Sequence, residues 1–297
     1  FSSRRRHTRF RNVTGVQTCA LPIYRPWQVP QIPLSLEEAM QQRVRSLCSQ
    51  GRTINIMWSG GIDSTAVVTA FLKHAPDFQQ LRLLYSPWSM YEHPMYMKFL
   101  KKFPALECQD ISGTVYLKEK FDGIVVTGEG GDEITASLDE SFIEAYGMRT
   151  LHMPWKDFFY QQNSDDGFIE FCHNWFAHIG RPIETVLQAR WAFYAICKIR
   201  SILNSKLPWL FDQSQRDPND LIGFFDCEEL ERVMYFNIEQ SISGARYTTW
   251  KQIFKDYCYA LDGFEFWREN KTKFGSLQMI HYTDKKIALQ KQHWLAI

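Results

Sequence analysis

The stretch Ser59-Gly60-Gly61-Ile62-Asp63-Ser64-Thr65 combines the groups needed to hold a chain of phosphates. Adjacent glycines let backbone approach an anion closely. Amides at the start of a following helix point outward and carry partial positive charge. Ser59, Ser64 and Thr65 add hydroxyl donors. Asp63 cannot attract phosphate, because like charges repel; its sensible role is to hold Mg²⁺, which bridges to phosphate oxygens. A Walker A loop would need GxxxxGK[ST], and no lysine follows the glycines here, so a P-loop kinase or GTPase is excluded. GxGxxG is also absent from this stretch.

A second glycine-rich string, Gly128-Glu129-Gly130-Gly131-Asp132-Glu133, follows the apolar run that ends at Thr127. Taken alone it also reads as an acidic surface turn. Directly after a strand, it lies where open α/β sheets place their ligands, at the carboxyl ends of the strands.

These loops need a frame. Ser35, followed by Glu37 and Glu38, reads as the cap of a helix running to about Ser49. Residues 53–58 form a short β-branched, apolar strand, and helical spacing follows from Ile62 to Lys73. Further strands are expected at Leu81–Tyr85, Leu106–Cys108 and Gly123–Thr127, with helices at His93–Lys102 and Val115–Phe121. Strands alternating with helices predict an α/β fold with a parallel, doubly wound sheet covered on both faces. After about residue 137 no strand is legible. Glu184–Asn204, Cys227–Ser243, Thr249–Leu261 and Asp284–Gln292 all read as helices. The expected division is an N-terminal segment (1–34), an α/β nucleotide-binding unit (35–137) and a helical substrate or capping region (138–297). The aromatics of that last region read as core, Trp191, Phe193, Tyr194, Cys197 and Ile199 sharing one helix.

In this context SGGIDST resembles the SGGxDS signature of the PP-loop ATP pyrophosphatase superfamily, and GEGGDE is similar to the GEGxDE element of its asparagine synthetase branch. The resemblance implies a sheet of the adenine nucleotide alpha hydrolase (HUP/PP-loop) type and an ATP-dependent, AMP-forming ligase. ATP and Mg²⁺ are the implied cofactors. Asp63 and Asp132 would share the metal, and Ser59, Gly60, Gly61, Ile62, Asp63, Ser64 and Thr65 would cradle pyrophosphate. Gly128, Glu129 and Gly130 would touch the nucleotide, and Tyr85 and Ser86 would meet adenine through backbone groups. The segment Arg268–Ser276 looks like the lysine-bearing loop of that branch, which makes Lys273 the first candidate for stabilising departing pyrophosphate and Lys271 the second. Such a cation is required because charge builds on the leaving group. Lys251 and Arg246 are further candidates. Tyr91-Glu92-His93-Pro94 is similar to an acidic turn of the same branch. The continuation Ile134-Thr135-Ala136-Ser137 departs from the branch's FGGY, which puts aspartate as substrate in doubt. Standalone proteins of this look are frequent in bacteriophage genomes.

The rest of the sequence narrows the choice. Of its 297 residues, 45% are hydrophobic and 23% charged, as in globular proteins. Residues 1–23 hold five arginines and no acid. They resemble either a transit peptide or, as the preferred reading, translated sequencing-adapter sequence outside the fold. Without them the chain has 29 basic and 33 acidic residues, which argues against nucleic acid as a partner. No apolar run reaches the roughly 18 residues of a membrane span. The seven cysteines form no CxxC pair and read as reduced, mostly buried thiols of a cytoplasmic protein. No HExxH motif supports a zinc enzyme. The expected partners are a small-molecule carboxylate and an amine, with a separate ammonia source because no glutaminase domain is legible; a homo-oligomer is left open. Two other readings compete. One is a PP-loop enzyme that modifies a nucleobase or tRNA, for which Cys108 and Cys172 are the candidate sulfur carriers. The other is a nucleotide-binding interaction module without catalysis, against which the two intact aspartates argue.

Overall fold

The computed structural model describes residues 34–111, 122–136, 140–179, 181–198, 220–241 and 251–271. Five strands form one sheet: β1 (Ile54–Met57), β2 (Leu81–Tyr85), β3 (Glu107–Asp110), β4 (Ile124–Thr127) and β5 (Leu221–Gly223). Their spatial order is β3-β2-β1-β4-β5, and every neighbouring pair is parallel. The chain builds outward from β1 through β2 to β3, then returns to the other side of β1 to lay down β4. The order therefore reverses between β1 and β4, the topological switch point of an open α/β sheet. All of β4 and residues Ile54, Asn55 and Ile56 of β1 are buried. Successive strand side chains face opposite sides, so both faces of the central sheet are covered.

The helices, in chain order, are α1 (Leu36–Cys48), α2 (Ile62–His74), α3 (Pro87–Glu92), α4 (Pro94–Leu100), α5 (Gly131–Ile134), α6 (Glu140–Tyr146), α7 (Trp155–Gln161), α8 (Asp166–His178), α9 (Val186–Trp191), α10 (Glu228–Phe236), α11 (Gln252–Asp262) and α12 (Glu265–Asn270). A capping box starts α1: the Glu38 amide donates to Ser35 Oγ (3.2 Å), and the Ser35 amide donates to Glu38 Oε2 (2.8 Å). The expected helix His93–Lys102 is in fact α4, with the unforeseen α3 just before it. Pro94 begins α4, where its missing N–H costs nothing. Helix α9 runs on into a π-helical stretch, Ala192–Lys198.

The reading that no strand follows residue 137 is corrected by β5, which pairs with β4 through Leu221, Ile222 and Gly223. A three-residue strand carries too little period-two signal to be read from sequence. Its end is tied to α1 by Arg43, which donates to the carbonyls of Gly223 (2.8 Å) and Phe224 (3.0 Å). Aromatic rings link the end of β5 to helices on either side of it in sequence: Phe71 of α2 meets Phe224 (centroids 5.8 Å apart), and Phe225 meets Phe254 of α11 (5.0 Å). Each such pair is worth about 0.5–1.5 kcal/mol beyond its buried area. Trp155, Trp191 and Trp267 are all buried, as the core reading of the helical region expects. Phe193 and Tyr194 are only half-buried. The expected helix Val115–Phe121, the helix Asp284–Gln292, Lys273, Arg246 and residues 1–33 lie outside the described residues.

Candidate functional site at the switch point

Both glycine loops emerge at the carboxyl edge of the sheet, on adjacent strands β1 and β4. Gly60 adopts φ +81°, and a Cβ there would lie 2.3 Å from the Ser89 carbonyl oxygen and 2.5 Å from Glu92 Cβ. Only glycine fits. Gly61 caps α2 and has no side chain to satisfy the first amides of the helix, leaving its positive end to be met by something else. Hydroxyls order the turn: the Ser59 amide donates to Ser64 Oγ (3.1 Å), the Gly61 amide donates to Ser59 Oγ (3.3 Å), and the two serine hydroxyls are 2.9 Å apart.

The loop after β4 packs directly on the loop after β1. A Cβ on Gly128 would come within 2.8 Å of the Ser64 amide nitrogen, and one on Gly131 within 2.4 Å of Asp63 Cγ. Glycine at these positions is what allows the two aspartates to share one place. Gly130 is left-handed (φ +93°) and starts the short helix α5, whose first turn carries Asp132.

One cation joins the two carboxylates. Lys251 Nζ donates to Asp63 Oδ1 (2.6 Å) and Oδ2 (2.5 Å) and pairs with Asp132 Oδ1. Its side chain is 3% exposed, against 22% for Asp63 and 33% for Asp132. Burial works against its charge, but the Asp132 and Asp63 carboxylates outweigh burial and hold the ammonium above its ordinary pKa. Lys251 precedes α11 in a left-handed conformation (φ +56°), which is uncommon and costly for a side chain of this size.

A second lysine lies on the other flank. Lys271 Nζ pairs with Glu92 Oε2 and reaches the Glu92 carbonyl at 3.3 Å. Both side chains are buried, and Glu92 is the residue packed against Gly60. Burial lowers the Lys271 pKa, and Glu92 offsets this in part. His93 stacks on Trp267 (centroids 4.5 Å apart), which anchors α12 next to this pair.

The structure thus gathers Ser59, Gly60, Gly61, Asp63, Ser64, Gly128, Gly130 and Asp132 at the carboxyl ends of β1 and β4, with Lys271 joined to them through Glu92, which packs on Gly60. Ile62 is core, and Thr65 is fully buried, its hydroxyl accepting from the Trp58 indole (3.0 Å); both shape the loop from below. Glu129 is exposed at the rim. Tyr85 and Ser86 end β2 beside β1; the Tyr85 carbonyl accepts from the Ile111 amide (2.7 Å), and the Ser86 amide donates to Ser89 Oγ (3.1 Å). Sequence reasoning ranked Lys251 low and did not single out Glu92 or Gly131 as site residues. Only the fold brings Lys251 back across 188 residues to Asp63.

The residues fit a hard divalent cation in a limited way. Asp63 and Asp132 already converge on a cation, and no cluster of three or more His, Cys, Asp or Glu suited to a metal is present among the described residues. Two carboxylates are what Mg²⁺ takes from a protein when substrate phosphates and water complete its shell. Neither candidate sulfur carrier, Cys108 or Cys172, has the setting of an activated thiol. Burial pushes Cys172 up to about 11, and burial together with Glu107 raises Cys108, the reverse of an activated sulfur nucleophile. No described helix is long and apolar enough to cross a membrane. No family model, curated protein or solved structure matches this chain.

Proposed function

We propose that the protein is an ATP-dependent, AMP-forming ligase that adenylates a substrate carboxylate and passes the acyl group to an amine. The observation that carries this reading is the convergence of Asp63 and Asp132, from two glycine loops on adjacent parallel strands, on a single cation at the switch point. Two carboxylates repel each other unless a cation or a shared proton holds them together.

In this reading the Ser59–Ser64 turn and the uncapped start of α2 receive the β and γ phosphates. Mg²⁺, held by Asp63 and Asp132, would neutralise phosphate charge when bound. The substrate carboxylate oxygen bonds to the α-phosphorus as the bond to the bridging oxygen breaks, and pyrophosphate leaves with the electron pair. Lys271 and Lys251 flank the turn and are the described cations able to meet that charge; Lys273, the first choice from sequence, lies outside the described residues. The amine then bonds to the acyl carbon, AMP departs, and the amine gives up a proton.

The test is product analysis with ATP, Mg²⁺ and a panel of amino acids and ammonia. Pyrophosphate and AMP that depend on one added carboxylate, and that vanish in Asp63→Ala, are expected. ADP and phosphate as products would refute the assignment. Turnover only with RNA or a nucleobase would move the reading to base modification.

A further inference from the structure

We infer that Lys251 is a resident countercation that closes the Asp63–Asp132 pair to a divalent ion until nucleotide is present, so that metal and nucleotide load together rather than metal first. The inference rests on the reading of Asp63 and Asp132 as the metal carboxylates. It goes beyond that reading because it assigns an order of binding and a residue that enforces it.

Charge sets the order of binding. Two facing carboxylates carry −2 and by themselves attract a divalent ion. With the Lys251 ammonium between them the set carries −1, and both Asp63 oxygens and one Asp132 oxygen are already engaged. A metal arriving alone must draw a buried ammonium away from the two carboxylates that hold it. An ammonium sent into low dielectric without a partner is strongly opposed. A nucleotide changes that balance, since its polyphosphate brings new anions to the Ser59–Ser64 turn beside the same lysine. Lys251 can then exchange carboxylate for phosphate and free the carboxylate oxygens for the metal. The left-handed backbone at Lys251 shows that the fold places the ammonium here against local preference.

Binding of Mn²⁺, read from the loss of the free-ion electron paramagnetic resonance signal, tests this without turnover. Free wild-type protein should bind Mn²⁺ weakly. Saturation with a non-hydrolysable ATP analogue should tighten binding by about tenfold or more, a typical coupling between linked sites. Lys251→Met should bind Mn²⁺ tightly without nucleotide, Lys251→Arg should still exclude it, and Lys251→Met combined with Asp132→Asn should lose the gain. Equal Mn²⁺ affinity of the free and analogue-bound wild type would overturn the inference, even if Lys251→Met does not fold. Analogue that binds wild type while Lys251→Met gains no affinity for Mn²⁺ would overturn it too, leaving the ATP reading intact. Failure of the analogue to bind wild type at all, measured by displacement of a fluorescent nucleotide, would remove the ATP reading and this inference with it.

Discussion

Lys251 and Lys271 bracket one short segment, are equally buried, and each reach an acid far back in the sequence, yet they sit in opposite electrostatic states. Lys251 meets two carboxylates that are themselves partly open to solvent, and its pKa is held above normal. Lys271 meets the buried Glu92 carboxylate, and burial lowers its pKa. The number of carboxylates, and how much water reaches them, decides the sign. A single buried acid does not repay the desolvation of an ammonium; two half-solvated ones do. The Lys251 contact with Asp132 is therefore redundant with its contacts to Asp63.

That contrast can be broken at its weak side first. Glu92→Gln leaves the Lys271 ammonium buried against an amide, and the loss should be about 3–5 kcal/mol, read from the urea midpoint. Replacing both partners, Glu92→Leu with Lys271→Met, should recover most of it. If the single and double variants are equally unstable, the pair is not what holds the segment.

Lys255, one turn along α11 from Lys251, sharpens the comparison. It is fully buried and pushed down to about 8 by burial, with Lys271 and Lys251 adding to the effect and Asp256 opposing it. Above pH 8 the folded protein sheds this proton while the unfolded chain keeps it to about 10.5. The unfolded state then binds more protons, so this group's contribution to stability rises with pH through that window. Lys255→Met should flatten the rise, a difference on the order of 2 kcal/mol between the two proteins across the window. An unchanged profile would mean that Lys255 is charged in the fold.

Asp132→Asn should cost only about 1 kcal/mol, because Lys251 keeps both Asp63 oxygens. A loss as large as that of Glu92→Gln would end the claim of redundancy. Ala136→Gly touches neither pair. Ala136 is fully buried with φ +48°, and glycine there removes a left-handed penalty, so a gain of up to about 1 kcal/mol is expected. It serves as the reference shift for the others.

The half of the site that lies in the glycine loops was legible from sequence because each loop is local. A strand, a turn that only glycine can make and a helix start follow one another, and β1, β2 and β4 fall within a residue or two of where the β-branched runs place them. The position of Ala136 was legible only as a departure from a glycine pair, although the backbone there keeps a left-handed turn. The rest depends on distance. β5 is three residues of no particular pattern, stabilised by its neighbour β4 and by Arg43. Lys251 and Lys255 look like ordinary polar positions of an amphipathic helix until packing puts them inside. Nothing in the neighbourhood of Lys251 or Lys271 encodes Asp63 or Glu92.

The span of 188 residues between Asp63 and Lys251 has a consequence in time. At ribosomal speeds of about 5–20 residues per second, roughly 10–40 seconds separate the synthesis of the acid from that of its cation. For that interval the nascent chain carries Asp63, and later Asp132, without the cation that joins them. Joining the two glycine loops through Lys251 is therefore a late event in the making of the site, whatever the order in which the strands pair.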